Sequence, residues 1–319
     1  MPSPPPPKTA AANRTYSAAH FALELDSKQD IGLCRSIEGG GVKVDVMTYQ
    51  KGGDYDRWRQ LGKQKYEDIK VQVGMAMAQP FYEWIEAFFE GKALRKDGAV
   101  LAADFHYKER ARRNFTNAMI KELTFPKLDA ADKGAAYMSV GFAVEGITFA
   151  PGSNTKLPPA ASTEHQKLWT ACNFRFSLDG FEQPCRRVSK VDSFTIKQNV
   201  LEYHAGGSQA PIKAPSQIDF PNLSFYVPES DAEPFFKHLN QRAMVPVRDR
   251  GASKNGVIEA FDTEGGTLFT LEFYGADISN VAPDKGDSQS EEIKQVKIDL
   301  SVEKMKFNHV PNNKLGTSK

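Results

Sequence analysis

Pro80-Phe-Tyr-Glu-Trp-Ile85 is matched 154 residues later by Pro234-Phe-Phe-Lys-His-Leu239, and this repeat decides the fold. In each copy, a proline suited to the first turn of a helix precedes apolar residues at helical spacing. A second pair follows in the same order, since Tyr137–Phe149 (YMSVGFAVEGITF) aligns with Gln295–Phe307 (QVKIDLSVEKMKF) at an offset of 158. Ordered self-similarity of this kind indicates a repeated structural unit.

Four further blocks repeat in the same order, with offsets that drift only through small insertions. They are Phe21–Asp26 with Phe174–Asp179, Cys34-Arg35 with Cys185-Arg186, Tyr49 and Gly52-Gly53 with Tyr203 and Gly206-Gly207, and Ile69, Val71 and Val73 with Leu223, Phe225 and Val227. We therefore predict two copies of one domain in tandem. The expected parts are a Pro-rich tail (1–15), domain 1 (16–150), a Pro/Ser/Ala-rich linker (151–167), domain 2 (168–308) and a C-terminal tail (309–319).

Most segments alternate apolar and polar residues. Phe21, Leu23 and Leu25 follow this period of two, and so does Ile69–Val73. Alternation predicts strands with one face on a core. The predicted fold class is mostly β, with two tandem sandwich or barrel domains, each carrying one flanking α-helix and a long β-hairpin arm.

The helix of each copy carries an aromatic and aliphatic stripe. We expect this stripe to be core that covers the sheet, rather than a ligand site. Its predicted members are Phe81, Trp84, Ile85 and Phe88 in the first copy and Phe235, Phe236 and Leu239 in the second.

The predicted arms span Gly39–Asp68 in the first copy and Asp192–Asp219 in the second. A mobile, solvated loop is the alternative for each. Exposed aromatic and arginine side chains favour an interface, because such residues supply binding hot spots. The candidate interface residues are Val44, Val46, Tyr49, Tyr55, Arg57, Trp58 and Arg59 in arm 1, and Phe194, Ile196 and Tyr203 in arm 2.

Composition excludes several classes of protein. The formal charge is +1 and no predicted domain has a strong basic excess, so direct nucleic-acid binding is not expected. No apolar run is long enough to span a bilayer, and the N-terminus lacks the apolar core of a secretory signal. With three cysteines, we expect no disulfide framework and synthesis in the reducing cytoplasm.

Catalytic patterns are absent from the sequence. There is no phosphate-binding loop or Gly-x-Ser-x-Gly elbow, and the six histidines lack ligand spacing. Asp129, Asp132, Asp284 and Asp287 favour solvated turns over a calcium site. The run Lys108–Arg113 favours a solvated strand end over an anion-binding surface. We therefore predict no enzyme activity, cofactor or metal.

Several of these motifs together resemble a known family. Phe21–Asp26, Ser36-Ile-Glu-Gly39, Tyr49 with Gly52-Gly53, and Lys121-Glu-Leu-Thr-Phe-Pro126 are similar to the tail tube proteins of contractile phages. That family includes inner-tube proteins of contractile injection systems and the secreted tube protein of type VI secretion. The resemblance covers about residues 16–150 and, more loosely, 168–308. It implies six domains closing into a ring around a lumen, hairpins that reach the next ring, and no catalytic residues.

The duplication departs from the usual family pattern. A closed ring needs a fixed number of domains, so three duplicated chains would supply six places. We expect a homotrimeric ring that stacks into a tube, with sheath, baseplate hub or spike proteins as partners and possible cargo in the lumen. A trimeric hub or initiator ring, a chain spanning two rings and a ring-shaped cargo carrier remain open.

Overall fold

The computed structural model describes residues 20–26, 28–50, 52, 57–157, 169–203, 211–244, 253–284 and 293–311. Within them the chain is mostly β, and its two halves repeat one order of elements. This confirms the predicted fold class of two tandem domains. The bounds that follow refer to the described residues only.

The first repeat contains eleven strands and one helix. They are β1 (His20–Leu25), β2 (Lys28–Cys34), β3 (Ser36–Gly39), β4 (Val42–Gln50), β5 (Arg57–Tyr66), β6 (Ile69–Val73), α1 (Gln79–Phe89), β7 (Lys96–Ala103), β8 (Glu109–Phe125), β9 (Leu128–Asp129), β10 (Met138–Ala143) and β11 (Gly146–Pro151).

The second repeat has the same plan, except that a short helix stands in the place of β2 and that no described strand corresponds to β9. Its elements are β12 (Trp169–Leu178), α2 (Glu182–Cys185), β13 (Lys190–Val191), β14 (Phe194–Tyr203), β15 (Ile212–Asp219), β16 (Leu223–Pro228), a 3₁₀ turn (Glu229–Asp231), α3 (Glu233–Ala243), β17 (Lys254–Asp262), β18 (Thr267–Pro283), β19 (Gln295–Ser301) and β20 (Lys304–His309).

A long strand organises each repeat. The first part of β8 lies between β7 and β11, and its second part pairs with β10. In the same way β18 lies between β17 and β20 and then pairs with β19. Both strands change direction at one equivalent residue with positive φ, Asn117 at +52° and Gly275 at +65°. Near this residue β8 stops pairing with β7 and β11 and begins to pair with β10, and β18 changes from β17 and β20 to β19.

A glycine opposite a phenylalanine fixes the same packing in both repeats. Gly98 pairs with Phe115, and Gly256 pairs with Phe273. A Cβ on Gly98 would lie 2.7 Å from the Phe115 ring, and one on Gly256 would lie 2.2 Å from the Phe273 ring. Both rings are fully buried, so any larger residue at either glycine would displace core.

Helix α1 lies on the core as its sequence pattern predicts. Phe81, Trp84, Ile85 and Phe88 are all buried, and the Trp84 indole donates a 2.9 Å hydrogen bond to the Leu94 carbonyl. This bond satisfies the one polar group of the indole inside an apolar environment.

Helix α3 differs from the prediction at one residue. Phe235 is fully buried and Leu239 packs against the core from a half-buried position. Phe236, which we expected in the core, is 36% exposed. Its counterpart in α1, Tyr82, is fully buried, and the imidazole of His309 on β20 stacks on its ring.

The predicted linker is partly ordered onto the first repeat. Glu109 N donates to the Thr155 carbonyl, and Leu157 N donates to the Tyr107 carbonyl. Leu157 is buried against this part of the fold. The rest of the predicted linker, 158–167, lies outside the described residues.

Candidate assembly interface

The two repeats exchange strands with each other. Strand β14 of the second repeat pairs antiparallel with the outer edge of β8, so Phe194 lies opposite Phe125 and Ile196 opposite Leu123. Strand β9 of the first repeat pairs in turn with β13. Strands of each repeat therefore extend a sheet of the other, which joins the halves through main-chain hydrogen bonds.

Side chains along this junction are buried and matched. The rings of Phe125 and Phe194 stack with centroids 5.1 Å apart, and the hydroxyls of Thr124 and Thr195 are 2.9 Å apart. Ile196 is completely buried. We predicted Phe194 and Ile196 at an exposed arm interface; that placement is wrong, because β8 of the same chain already covers them.

The helix side of the junction is aromatic. Tyr82 of α1 stacks on the imidazole of His309 with centroids 3.7 Å apart, and Phe89 stacks on Phe307 at 5.9 Å. His309 N donates a 2.9 Å hydrogen bond to the Glu86 carboxylate. Burial lowers the pKa of His309 to about 4 and raises that of the Tyr82 hydroxyl above its ordinary range. Both groups are therefore neutral at pH 7.

A charged group fastens arm 2 to the first repeat. The Glu145 carboxylate accepts hydrogen bonds from Lys213 N at 2.7 Å and from Asn117 Nδ2 at 2.9 Å, and Arg95 bridges Glu145 to the Lys213 carbonyl. Desolvation raises the pKa of Glu145, but the Lys213 amide and Arg95 outweigh it and hold the pKa below its usual value. The carboxylate therefore stays charged beside Lys213, which pairs with Glu202 close to the described end of the arm.

Arm 1 has a different environment. Strands β4 and β5 form a separate two-stranded sheet that pairs with no other described strand. Several of its apolar and cationic side chains are exposed, which is uncommon for a monomeric surface. The exposed set is Val46, Met47, Tyr49, Arg57, Trp58, Arg59 and Leu61.

Two predicted arm 1 residues differ from this set. Val44 is only half-buried in β4, and Tyr55 lies outside the described residues. Tyr49 lies opposite Trp58 across the hairpin, and their rings stack with centroids 6.5 Å apart.

The tip of arm 2 is exposed although its base is buried. Tyr203 and Leu201 at the end of β14 face solvent, as does Ile212 at the start of β15. Arm 2 thus has a covered base and a free apolar end. Of the three predicted arm 2 residues, only Tyr203 lies on that free end.

Sequence reasoning missed the residues that join the repeats on the first-repeat side. Leu123, Phe125 and Tyr82 appeared only as strand or helix positions, yet they form the junction. One signal was available, because Phe149 and Phe307 occupy equivalent places in the repeated block. In the described structure Phe307 is buried at the junction and Phe149 is exposed.

The aspartates and the basic run that the sequence singled out make structural contacts where they are described. Asp129 and Asp132 accept hydrogen bonds from backbone amides two residues ahead, as solvated turns do. Arg110 and Arg112 of the basic run pair with Asp104 and Glu109. In the part of the chain that the structure describes, no group of three or more His, Cys, Asp or Glu side chains could hold a metal ion.

Described helices are too short or too polar to cross a membrane. Buried cysteines are also accounted for by packing, since burial raises the thiol pKa of Cys34 and Cys185 to about 12. Thiols held protonated in this way behave as small apolar side chains.

Comparisons with known proteins agree with the repeat. The family model described as T4-like virus tail tube protein gp19 matches twice, at residues 17–148 and 170–306. No curated protein matches the chain.

Three solved structures match part of the chain at low identity. A sheath–tube complex of an extracellular contractile injection system (PVC, extended state) is 17% identical over 44% of this chain and 94% of its own, with a TM-score of 0.38. The anti-feeding prophage tube-terminating cap is 18% identical over 44% and 95%, with a TM-score of 0.38. An Hcp protein is 13% identical over 59% and 92%, with a TM-score of 0.24.

The two family matches together span most of the chain, and they fall on the two repeats whose strands and registers correspond. The chain therefore belongs to the T4-like virus tail tube protein gp19 family, and it contains the family's domain twice.

Proposed function

We propose that this chain is a structural subunit of the inner tube of a contractile tail or contractile injection system. Three copies form a pseudo-hexameric ring around a lumen, and the rings stack. The observation that carries the proposal is the junction inside the chain, where two tube-family domains join side by side through β14 and β8. Two domains joined in this way supply a third of a six-domain ring, and repeated head-to-tail contacts give a ring when the rotation per unit closes.

The free arm ends suit contacts between rings. Arm 1 exposes Val46, Leu61 and Tyr49, and arm 2 exposes Leu201 and Tyr203. Apolar ends of this kind are covered when they enter a neighbouring ring. Sheath, baseplate hub and spike proteins are the further partners, and the lumen is where cargo would travel.

Electron microscopy of the purified chain tests this function. We expect rings with a central lumen and, at higher concentration, tubes of stacked rings. A protein that stays monomeric at high concentration would contradict the proposal. Deleting Gln50–Arg59 removes the end of arm 1, so we expect rings without tubes from that variant.

A trimeric hub or initiator ring at the tube base is the second candidate. The observation in its favour is that the two arms differ: β5 of arm 1 begins Arg57-Trp-Arg59, whereas the described end of arm 2 carries Leu201, Tyr203 and Ile212. A ring of such chains alternates two surfaces. Rings that bind one layer of tube and never stack with each other would favour the hub. Rings that retain a client protein and never stack would favour a cargo carrier.

A further inference from the structure

Each repeat has two faces that meet at the junction inside the chain. We call the outer edge of β8 together with α1 the front face of the first repeat. The surface formed by β13, the first residues of β14, and β20 is the rear face of the second repeat. Within one chain, the front face of the first repeat binds the rear face of the second repeat. The same chain also has a second front face, on β18 and α3, and a second rear face, on β3, β4 and β11.

The second front face has an unpaired strand edge. Strand β18 aligns with β8 at an offset of 158, and even its bulge is conserved: β10 skips Lys121, and β19 skips Ser279. On β8 the edge at Glu122–Phe125 is covered by β14. On β18 the equivalent edge, Asn280–Pro283, pairs with no other described strand. A strand edge with free main-chain groups is a template for another strand.

The second rear face has a matching free segment. Hairpin β4–β5 aligns with β14–β15 at an offset of 154, because both carry a bulge at the same place, after Val44 and after Gln198. The residues that pair with β8 are Phe194–Lys197, so their equivalents are Gly40–Lys43. Ile196 is 0% exposed at the junction, whereas its equivalent Val42 is 38% exposed. Val42 and Lys43 are therefore open where the equivalent part of β14 is covered, whereas Gly40 at the start of the segment is buried.

The helix side shows the same difference. Tyr82 and Phe307 are buried where α1 meets β20. Their equivalents are Phe236 on α3, which is 36% exposed, and Phe149 on β11, which is 64% exposed. Two aromatic side chains are thus left in solvent on the two unused faces. At the equivalent positions of the junction inside the chain, the aromatic residues Tyr82 and Phe307 are buried.

We propose that the front face of the second repeat binds the rear face of the first repeat in a neighbouring copy of this chain. Gly40–Lys43 of one copy adds as an antiparallel strand to Asn280–Pro283 of the next, with Val42 opposite Val281. Phe236 packs on Pro151 of the neighbour's β11, and Phe149 packs on the last turn of α3. The proposal rests on the proposed function, and it specifies the contact that closes the ring.

A second copy is the occupant because the contact repeats one that the chain already makes. The hairpin, the long strand and the helix of each face match those of its counterpart. The differences are that Gly40 has a φ of +76° where Phe194 lies in a strand, and that no described strand of the second repeat corresponds to β9. A neighbour placed by the internal operation therefore meets most of the same backbone. Residue differences between the two repeats also indicate how strong the contact between chains is relative to the junction within a chain. The stacked Phe125–Phe194 pair is replaced by Pro283 opposite Gly40, which removes aromatic contact. The contact between chains is therefore weaker than the one within a chain, as expected for parts that assemble after folding.

Disulfide trapping in the full chain tests this register. Residues directly opposite in an antiparallel pair have Cα atoms about 4.5–5.5 Å apart, within the range that a disulfide bridges. We expect Val42→Cys/Val281→Cys, in a Cys172→Ser background, to give cross-linked chains under mild oxidation. Because each chain carries both cysteines, a closed ring yields a ladder with a covalent upper limit. We expect that limit at three chains.

Matched controls separate the outcomes. Thr124→Cys/Thr195→Cys occupies the same junction within one chain, so its disulfide should leave a monomer on a denaturing gel. Val42→Cys/Ile278→Cys moves one partner about 10 Å along the strand and should give no ladder. No product from Val42→Cys/Val281→Cys while the internal pair oxidises would overturn the proposal. So would disulfide dimers of Val42→Cys alone, which would indicate a two-fold contact.

Ring size and tube formation are judged separately in the same experiment. A ladder that ends at another number supports the strand register and contradicts the ring of three. Cross-linked rings that never stack support the register and contradict the tube.

A second variant tests the helix side without new cysteines. Phe236→Asp places a charge on an exposed position, so the chain should fold while ring association weakens by about tenfold or more. Phe105→Asp changes an exposed phenylalanine in the turn between β7 and β8 and should assemble normally. Normal rings from Phe236→Asp would show that α3 takes no part in the contact.

Discussion

Equivalent residues in the two repeats have different surroundings, and the difference shows which surfaces are used within the chain. Phe125 and Phe194 stack at the junction, where their equivalents are Pro283 and Gly40. Ile196 is buried where Val42 is exposed. Ile196 and Val42 have the same position in their hairpins, so what packs against each side chain sets its burial.

The first prediction concerns Phe194. Phe194→Ala removes a buried ring from the junction, so we expect a loss of about 3–5 kcal/mol in the free energy of unfolding. Tyr203→Ala lies on the same strand but in solvent, and should change stability by no more than about 0.5 kcal/mol. Urea denaturation followed by tryptophan fluorescence measures both. Equal effects would mean that the junction contributes no packing.

The second prediction concerns His309, whose pKa burial lowers from 6.5 to about 4. Below pH 6.5 this histidine binds a proton in the unfolded chain but stays neutral in the folded chain. The free energy of unfolding therefore falls as the pH drops from about 6.5 towards 4. Carboxylates add their own pH dependence to every variant. We therefore expect His309→Gln to have a shallower fall in its urea midpoint between pH 7 and pH 4.5 than the parent chain. Identical slopes would contradict this.

At the scale of elements, the sequence was sufficient for what repeats locally. Alternation located the strands around Leu23 and Val71, and helical spacing located α1 and its buried face. The sequence predicted both hairpin arms, but it could not predict which of their residues are covered by other strands. Phe194 and Tyr203 are both apolar residues of one strand, and only the pairing of β14 with β8 separates a covered base from an exposed end.

Phe236 shows the same limit for a helix. Its spacing is that of a core residue, and the equivalent Tyr82 is buried. The strand that covers Tyr82 comes from the other repeat, more than two hundred residues away in sequence. A local pattern identifies an apolar face, but what covers that face depends on the next domain.

The third prediction concerns the free end of arm 1. Val46 and Leu61 are opposite each other on β4 and β5, and both are exposed. Val46→Asp/Leu61→Asp should leave the stability of the chain within about 0.5 kcal/mol and abolish stacking of rings into tubes. Lys63→Gln is the control on the same hairpin and should form tubes. Tube length in electron micrographs is the measurement, and full-length tubes from the double variant would exclude this face from stacking.

For the whole molecule, strand exchange makes the two repeats one mechanical unit. Strands β14 and β15 extend the sheet of the first repeat, and β9 extends that of the second. One core runs through both. In the described residues the chain therefore presents two joined family domains, with one front face and one rear face that do not meet each other. A unit with complementary ends joins head to tail, and it closes when the rotation per unit allows.

The number of chains in a closed ring tests this account most directly. Native mass spectrometry of purified rings, dissociated from any tube, counts the chains. We expect three chains of 35.4 kDa, or about 106 kDa. Rings of six chains, or a chain that remains a monomer at concentrations where single-domain tube proteins assemble, would contradict it.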